Sequence, residues 1–149
     1  LIGLPGSGKS TCARSLLAVH PSSSLISTDT IRAQLFGDAA DQGAWLKVWL
    51  EVRQQMQAAV ECQVPLTIYD ATNVVRRQRR DAIALARSCG FTRIIAIWVD
   101  VPLEVCLARN QQRDRVVPTD VILRMQRRLE GAPPSLAEDL DGLVAWGNL

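Results

Sequence analysis

Gly3-Leu4-Pro5-Gly6-Ser7-Gly8-Lys9-Ser10 satisfies G-x-x-x-x-G-K-[ST] at every position, and it stands between an apolar pair, Leu1-Ile2, and a helical pattern from Lys9 to Val19. Glycines let such a loop curl until consecutive backbone N–H groups point inward, and the N-terminus of the following helix adds partial positive charge. The result is a nest for phosphates. Gly3, Pro5, Gly6, Ser7, Gly8 and Thr11 shape and line the nest, Lys9 reaches the β- and γ-phosphates of ATP, and Ser10 reaches the accompanying Mg²⁺. A loop of this kind belongs at a strand-to-helix turn of an α/β protein, which restricts the rest of the chain to helices alternating with strands.

The remaining sequence obeys that restriction. Ser24-Leu25-Ile26-Ser27 reads as a short strand and Thr28 to Phe36 as a helix; Asp41 to Gln63 carries Trp45, Val48, Trp49, Val52, Met56, Ala59 and Val60 on one helical face. Pro65 to Tyr69 reads as a strand, Arg76 to Cys89 as a helix closed by Gly90, and Thr92 to Val99 as a strand. Pro102 to about Gln112 and Pro118 to Leu129 read as helices with proline near the first turn; Leu136 to Leu149 reads as a short helix and then a last strand at Leu143–Trp146. Strands this apolar must be covered on both faces, so the expected architecture is a three-layer αβα sandwich around a parallel sheet. Ligands in such sheets bind beyond the carboxyl ends of the strands. The expected site therefore comprises Gly3–Thr11, Asp29, Asp70–Asn73 and Asp100–Val101.

Composition narrows the class. With 149 residues, 48% hydrophobic and 21% charged, the chain is one domain, long enough for a core without disulfides or structural metal, and not a disordered segment. No apolar run is long enough for a membrane-spanning helix and no signal peptide opens the chain, so a cytoplasmic protein is expected. Cys12, Cys62, Cys89 and Cys106 are scattered and His20 is the lone histidine, which argues against zinc and against histidine-based catalysis; any general base should be a carboxylate. A net charge of +2 excludes a large basic face for duplex DNA but not a narrow basic channel. Only two residues precede Gly3, so the first strand is expected to be cut short and residues 1–149 to form a single domain excised from a longer chain with further domains.

Several further residues carry chemistry. Asp29 ends the second strand and lies three residues from Arg32, on the same helix face. A carboxylate there can take the proton of an attacking hydroxyl while the arginine holds an anionic acceptor, or Asp29 can simply cap the helix. Asp70 is placed to hold magnesium with Ser10, while Asn73 suits either a substrate contact or a cap. Arg76, Arg77, Arg79 and Arg80 crowd the positive end of a helix dipole; most read as a solvated face, with Arg76 or Arg80 the candidates for substrate contact. Arg109, Arg113 and Arg115 fall in a connection, about residues 107–118, that suits either a lid over ATP or a surface salt-bridge network. Trp45 and Trp49 read as core in preference to a base-stacking platform, and Trp98 as core.

Taken together, the G-x-P-G-S-G-K-S-T loop, Asp29-x-x-Arg32, Asp70…Thr72-Asn73 and Arg109-Asn110-x-x-Arg113…Val117-Pro118 resemble the polynucleotide 5′-hydroxyl kinase group of P-loop kinases, an AAA-type ATP-binding domain, over nearly the whole chain. The resemblance implies the kinase strand order 2-3-1-4-5 and transfer of the γ-phosphoryl group of ATP to a hydroxyl, above all the 5′-hydroxyl at a single-stranded or nicked nucleic-acid end. It implies that Lys9 and Ser10 engage phosphates and magnesium, that Asp29 is the general base, and that Arg32 holds the acceptor's 3′-side phosphate. Arg113 would act on the transferred group and Arg109 would border the adenine. The chain departs from the family pattern at Thr28, where a basic residue is usual, and at the inserted Ala71. Small-molecule and zeta-toxin-like kinases share this core, and an ATP-binding regulatory module is a third reading.

Overall fold

In a computed structural model describing residues 1–39 and 44–147, the chain forms alternating helices and parallel strands. They run in the order α1 (Lys9–Val19), β1 (Ser24–Ser27), α2 (Thr28–Phe36), α3 (Trp45–Glu61), β2 (Thr67–Asp70), α4 (Arg76–Cys89) and β3 (Ile95–Val99). Next come α5 (Leu103–Gln111), α6 (Thr119–Gly131), a 3₁₀ turn at Leu136–Glu138 and β4 (Gly142–Trp146). The expected helix from Asp41 begins at Trp45 among the described residues; Asp41 itself lies outside them, as do Asn148 and Leu149. The strand expected from Thr92 begins only at Ile95.

β1 pairs with β2 and β3 with β4, all in parallel. Leu1-Ile2 joins the two pairs: the Leu1 nitrogen donates to the Tyr69 carbonyl at 2.8 Å, Ile2 N–H donates to Ile97 at 2.9 Å, and Val99 N–H returns to Ile2 at 2.8 Å. Counting that segment as the first strand, the order is 2-3-1-4-5, the order that the family resemblance implies. Helices close over this sheet in the three-layer αβα arrangement. Ile2, Leu4, Cys106, Ile122 and Leu129 anchor one buried cluster, and Ile26, Ile31, Val48, Val52, Met56 and Leu85 the other. Burying aliphatic side chains such as these contributes about 1.5–3 kcal/mol each.

Register fixes the site. Ser27 lies opposite Asp70, so β1 and β2 end level and deliver Asp29 and Asp70 to the same sheet edge as the glycine loop. Gly90 closes α4 in the left-handed conformation at φ 109°, the role expected of it.

Candidate active site

The glycine loop is built by backbone that only glycine tolerates. Gly6 and Gly8 have φ of 81° and 102°, and a Cβ on Gly6 would collide with the Cys106 carbonyl oxygen of α5. Gly8 is the N-cap of α1, where no side chain caps the helix and no acidic residue stands in the first turn, leaving its N–H groups for an anion. Ser7 Oγ is buried without a protein partner. Lys9, also buried, donates from Nζ to the Leu4 carbonyl at 2.8 Å. Burial pulls its ammonium down from 10.5 to about 8, with Asp70 opposing that shift and Arg113 reinforcing it. A desolvated cation held beside open N–H groups fits a polyphosphate.

Ser10 Oγ donates to Asp70 Oδ2 at 3.0 Å, joining a hydroxyl and a carboxylate on the rim of the same nest. Two hard oxygen donors next to a phosphate site are the donor set magnesium prefers. The residues present therefore fit Mg²⁺.

Asp29 does not cap α2. Ser27 does, accepting from Thr30 N–H at 3.4 Å, which leaves the Asp29 carboxylate for side-chain partners. Arg32 Nη1 lies 3.1 Å from Asp29 Oδ1, and Arg115, from the far side of the cleft, lies 3.4 Å from the same oxygen. Arg115 is a residue that sequence reasoning grouped with the lid without assigning it a role. Its pairing with Asp29 spans a long sequence separation, and spacing carries no signal for that.

A single cleft of about 1690 Å³ connects these groups, lined by Pro5–Thr11, Asp29, Arg32, Asp70–Asn73, Arg109, Arg113 and Arg115. Pockets that take one drug-sized ligand measure roughly 300–1,000 Å³, so a cleft of this size has room for a nucleotide and an acceptor together. The expected lid is helical as far as Gln111 and resumes helix at Thr119. In the last turn of α5, Asn110, fully buried, donates from Nδ2 to the Val117 carbonyl at 2.8 Å and accepts from Val117 N–H at 3.0 Å. That reciprocal pair clasps the two ends of the lid and explains why asparagine and Val-Pro stand where they do.

Three expectations need correction. Arg76 is not among the residues lining the cleft; it lies 3.8 Å from Glu138, because this face of α4 turns toward the 3₁₀ segment. Its neighbour Arg79 is not part of a solvated face: it is buried, gives Glu138 two bonds of 2.7 Å and also donates to the carbonyls of Asn73, Val74 and Ala132. Trp45 is not core. It is 43% exposed and lines the cleft with half-buried Trp49, its ring 5.7 Å from that of Trp49. Asn73, at φ 50°, spends its amide on the Leu1 carbonyl at 2.7 Å while still bordering the cleft. Trp146, which the sequence left without a role, borders it too.

Fold and site together define a P-loop nucleotide-binding domain of the kinase type. A family model described as an AAA domain matches residues 1–132, and the chain belongs to that family. It is 27% identical over 157 residues to an L-seryl-tRNA(Sec) kinase of Methanococcus maripaludis, covering 97% of this chain and 56% of that protein. A solved structure, that of the Pnkp1/Rnl/Hen1 RNA repair complex, superposes with a TM-score of 0.78 at 24% identity, over 94% of this chain and 44% of its counterpart. The chain thus spans about half the length of the relatives it matches. Among the described residues, no helix is long and apolar enough to cross a membrane.

Proposed function

We propose that this domain transfers the γ-phosphoryl group of ATP to a hydroxyl carried by a nucleic acid, the 5′-hydroxyl of a polynucleotide end being the preferred acceptor. The observation that carries the reading is Asp29: a carboxylate relieved of capping by Ser27, bonded to Arg32, and opening into the same cleft as Lys9. The relatives' names support a nucleic-acid acceptor, one being a kinase of a seryl-tRNA and the other part of an RNA repair complex.

The acceptor oxygen attacks the γ-phosphorus in line, forming the new P–O bond as the bond to the β,γ-bridging oxygen breaks and ADP departs. Asp29 takes the proton the hydroxyl loses. Lys9 and the N–H groups of α1 hold the β- and γ-oxygens, and Arg113 offsets charge on the moving group. Mg²⁺, held by Ser10 and Asp70, supplies further neutralisation of the phosphates when bound. Arg32 holds an acceptor phosphate, and Arg109 borders the nucleotide.

The test is incubation with Mg-ATP and 5′-hydroxyl RNA and DNA oligonucleotides, with serylated tRNA, nucleosides and sugars in parallel. Labelled 5′ ends are expected, and Asp29→Asn should abolish transfer while ATP affinity stays within about twofold, since the carboxylate acts on the acceptor. Label on serylated tRNA alone would move the acceptor to the seryl hydroxyl. Label confined to small molecules would overturn the nucleic-acid assignment.

A further inference from the structure

The acceptor side of the cleft contains aromatic surface that phosphoryl transfer itself does not use. Trp45 and Trp49, one turn apart on α3, stack at 5.7 Å with an interplanar angle of 29°, and the Arg32 guanidinium carbon lies 5.6 Å from the Trp45 ring centroid. Trp49 packs against the cluster of Ile26, Val48 and Val52, so the pair is anchored from behind. Trp45 retains 43% exposure despite both contacts. Arg32 is the bridge: one side chain reaches both the Asp29 carboxylate at 3.1 Å and the face of Trp45.

We infer that Trp45, backed by Trp49 and flanked by Arg32, is a stacking platform for the terminal nucleobase of the acceptor strand. The inference rests on the phosphotransferase reading of the cleft and adds to it what recognises the acceptor beyond its hydroxyl and phosphate. A nucleotide whose 5′-hydroxyl meets Asp29 carries its base on the far side of one sugar, and Arg32 links Asp29 to the Trp45 ring across that part of the cleft. Burying a tryptophan pair would satisfy the fold without exposing Trp45; leaving it exposed on the cleft wall beside a guanidinium gives a flat π surface and a cation, the combination that holds unpaired bases without reading their sequence. Selection is then for a base-bearing, unstacked 5′ end of any sequence.

Abasic substitution separates the base from the rest of the acceptor. Two 5′-hydroxyl oligonucleotides, identical except that one lacks the base of its first nucleotide, are titrated against the protein with a non-hydrolysable ATP analogue while tryptophan fluorescence is followed. The intact strand is expected to quench fluorescence and to bind roughly tenfold more tightly than the abasic one. Trp45→Leu should remove both the quench and the discrimination, Trp45→Phe should restore part of the discrimination, and the affinity for the ATP analogue should be unchanged in both. Equal affinity of the wild-type protein for the two strands, or discrimination that survives Trp45→Leu, overturns the platform. In the parallel kinase assay, discrimination without phosphorylated product would overturn the polynucleotide kinase reading and leave the platform standing; product without discrimination does the reverse.

Discussion

Two clusters of arginine, 76–80 at the start of α4 and 109–115 at the lid, look alike in sequence and have opposite fates. In the first, Arg76, Arg77 and Arg80 stay exposed, Arg76 at the edge of Glu138, while Arg79 turns inward and is buried against Glu138 and three backbone carbonyls. The second faces the cleft: Arg109, Arg113 and Arg115 line it, and Arg115 reaches Asp29. Charge density along a sequence therefore says little about purpose. What separates the clusters is the partner each fold position supplies, a buried carboxylate for one and a phosphate-binding cleft for the other.

If that contrast holds, the two clusters should respond to mutation through different quantities. Arg79→Ala leaves Glu138 buried with only the long 3.8 Å contact to Arg76, and its cost should be the largest, about 3–5 kcal/mol in urea unfolding. The double variant Arg79→Met with Glu138→Leu should recover much of the loss; a single variant as stable as wild type would dissolve the distinction. Arg113→Ala should behave oppositely, with stability within about 0.5 kcal/mol of wild type and kcat for phosphoryl transfer reduced about 10²–10³-fold.

Asn110→Ala falls between the two. It strips both partners from the Val117 backbone, with an expected loss of about 1–3 kcal/mol and a raised KM for ATP as the lid loses its clasp. A change in stability with no change in KM would make Asn110 a packing residue only. The smallest effect belongs to half-buried Arg87, in the last turn of α4, whose partner Asp141 also accepts from Ile94 N–H at 2.6 Å. That backbone bond, with Arg87 second, holds the Asp141 carboxyl below its ordinary 3.8. A carboxyl depressed in the folded state adds stability above its unfolded value and loses it as pH falls through the folded one. Asp141→Asn should therefore lower Tm slightly at pH 6 and leave it unchanged in strong acid, where a persisting difference would deny the ionic contribution.

The fold was legible because its signals are local. A glycine loop, alternating apolar runs and a glycine after Cys89 each act within a few residues, whereas the strand order came from the family resemblance. The grouping of the candidate site was legible for the same reason, since Lys9, Ser10 and Asp29 follow strand ends and Asp70 closes β2. What sequence did not yield were long-range partnerships. Glu138 lies 59 residues from Arg79, and nothing near either marks the pair. Trp45 misled in another way: helical periodicity counts an aromatic as core whenever it shares a face with valines, but this face of α3 starts at the cleft and reaches the core only further along. Arg76 failed through the same limit, because spacing gives a residue's phase on a helix and not what the helix faces.

The contact between Gly6 and the Cys106 carbonyl has a mechanical consequence. Cys106 sits midway along α5, whose last turn contains Arg109 and Asn110, and the two backbones touch with no side chain between them to absorb displacement. A displacement of the loop would therefore bear directly on the helix whose last turn holds the lid's clasp. On the proposed kinase reading, the glycine loop and the helix that carries Arg109 are coupled through that one contact.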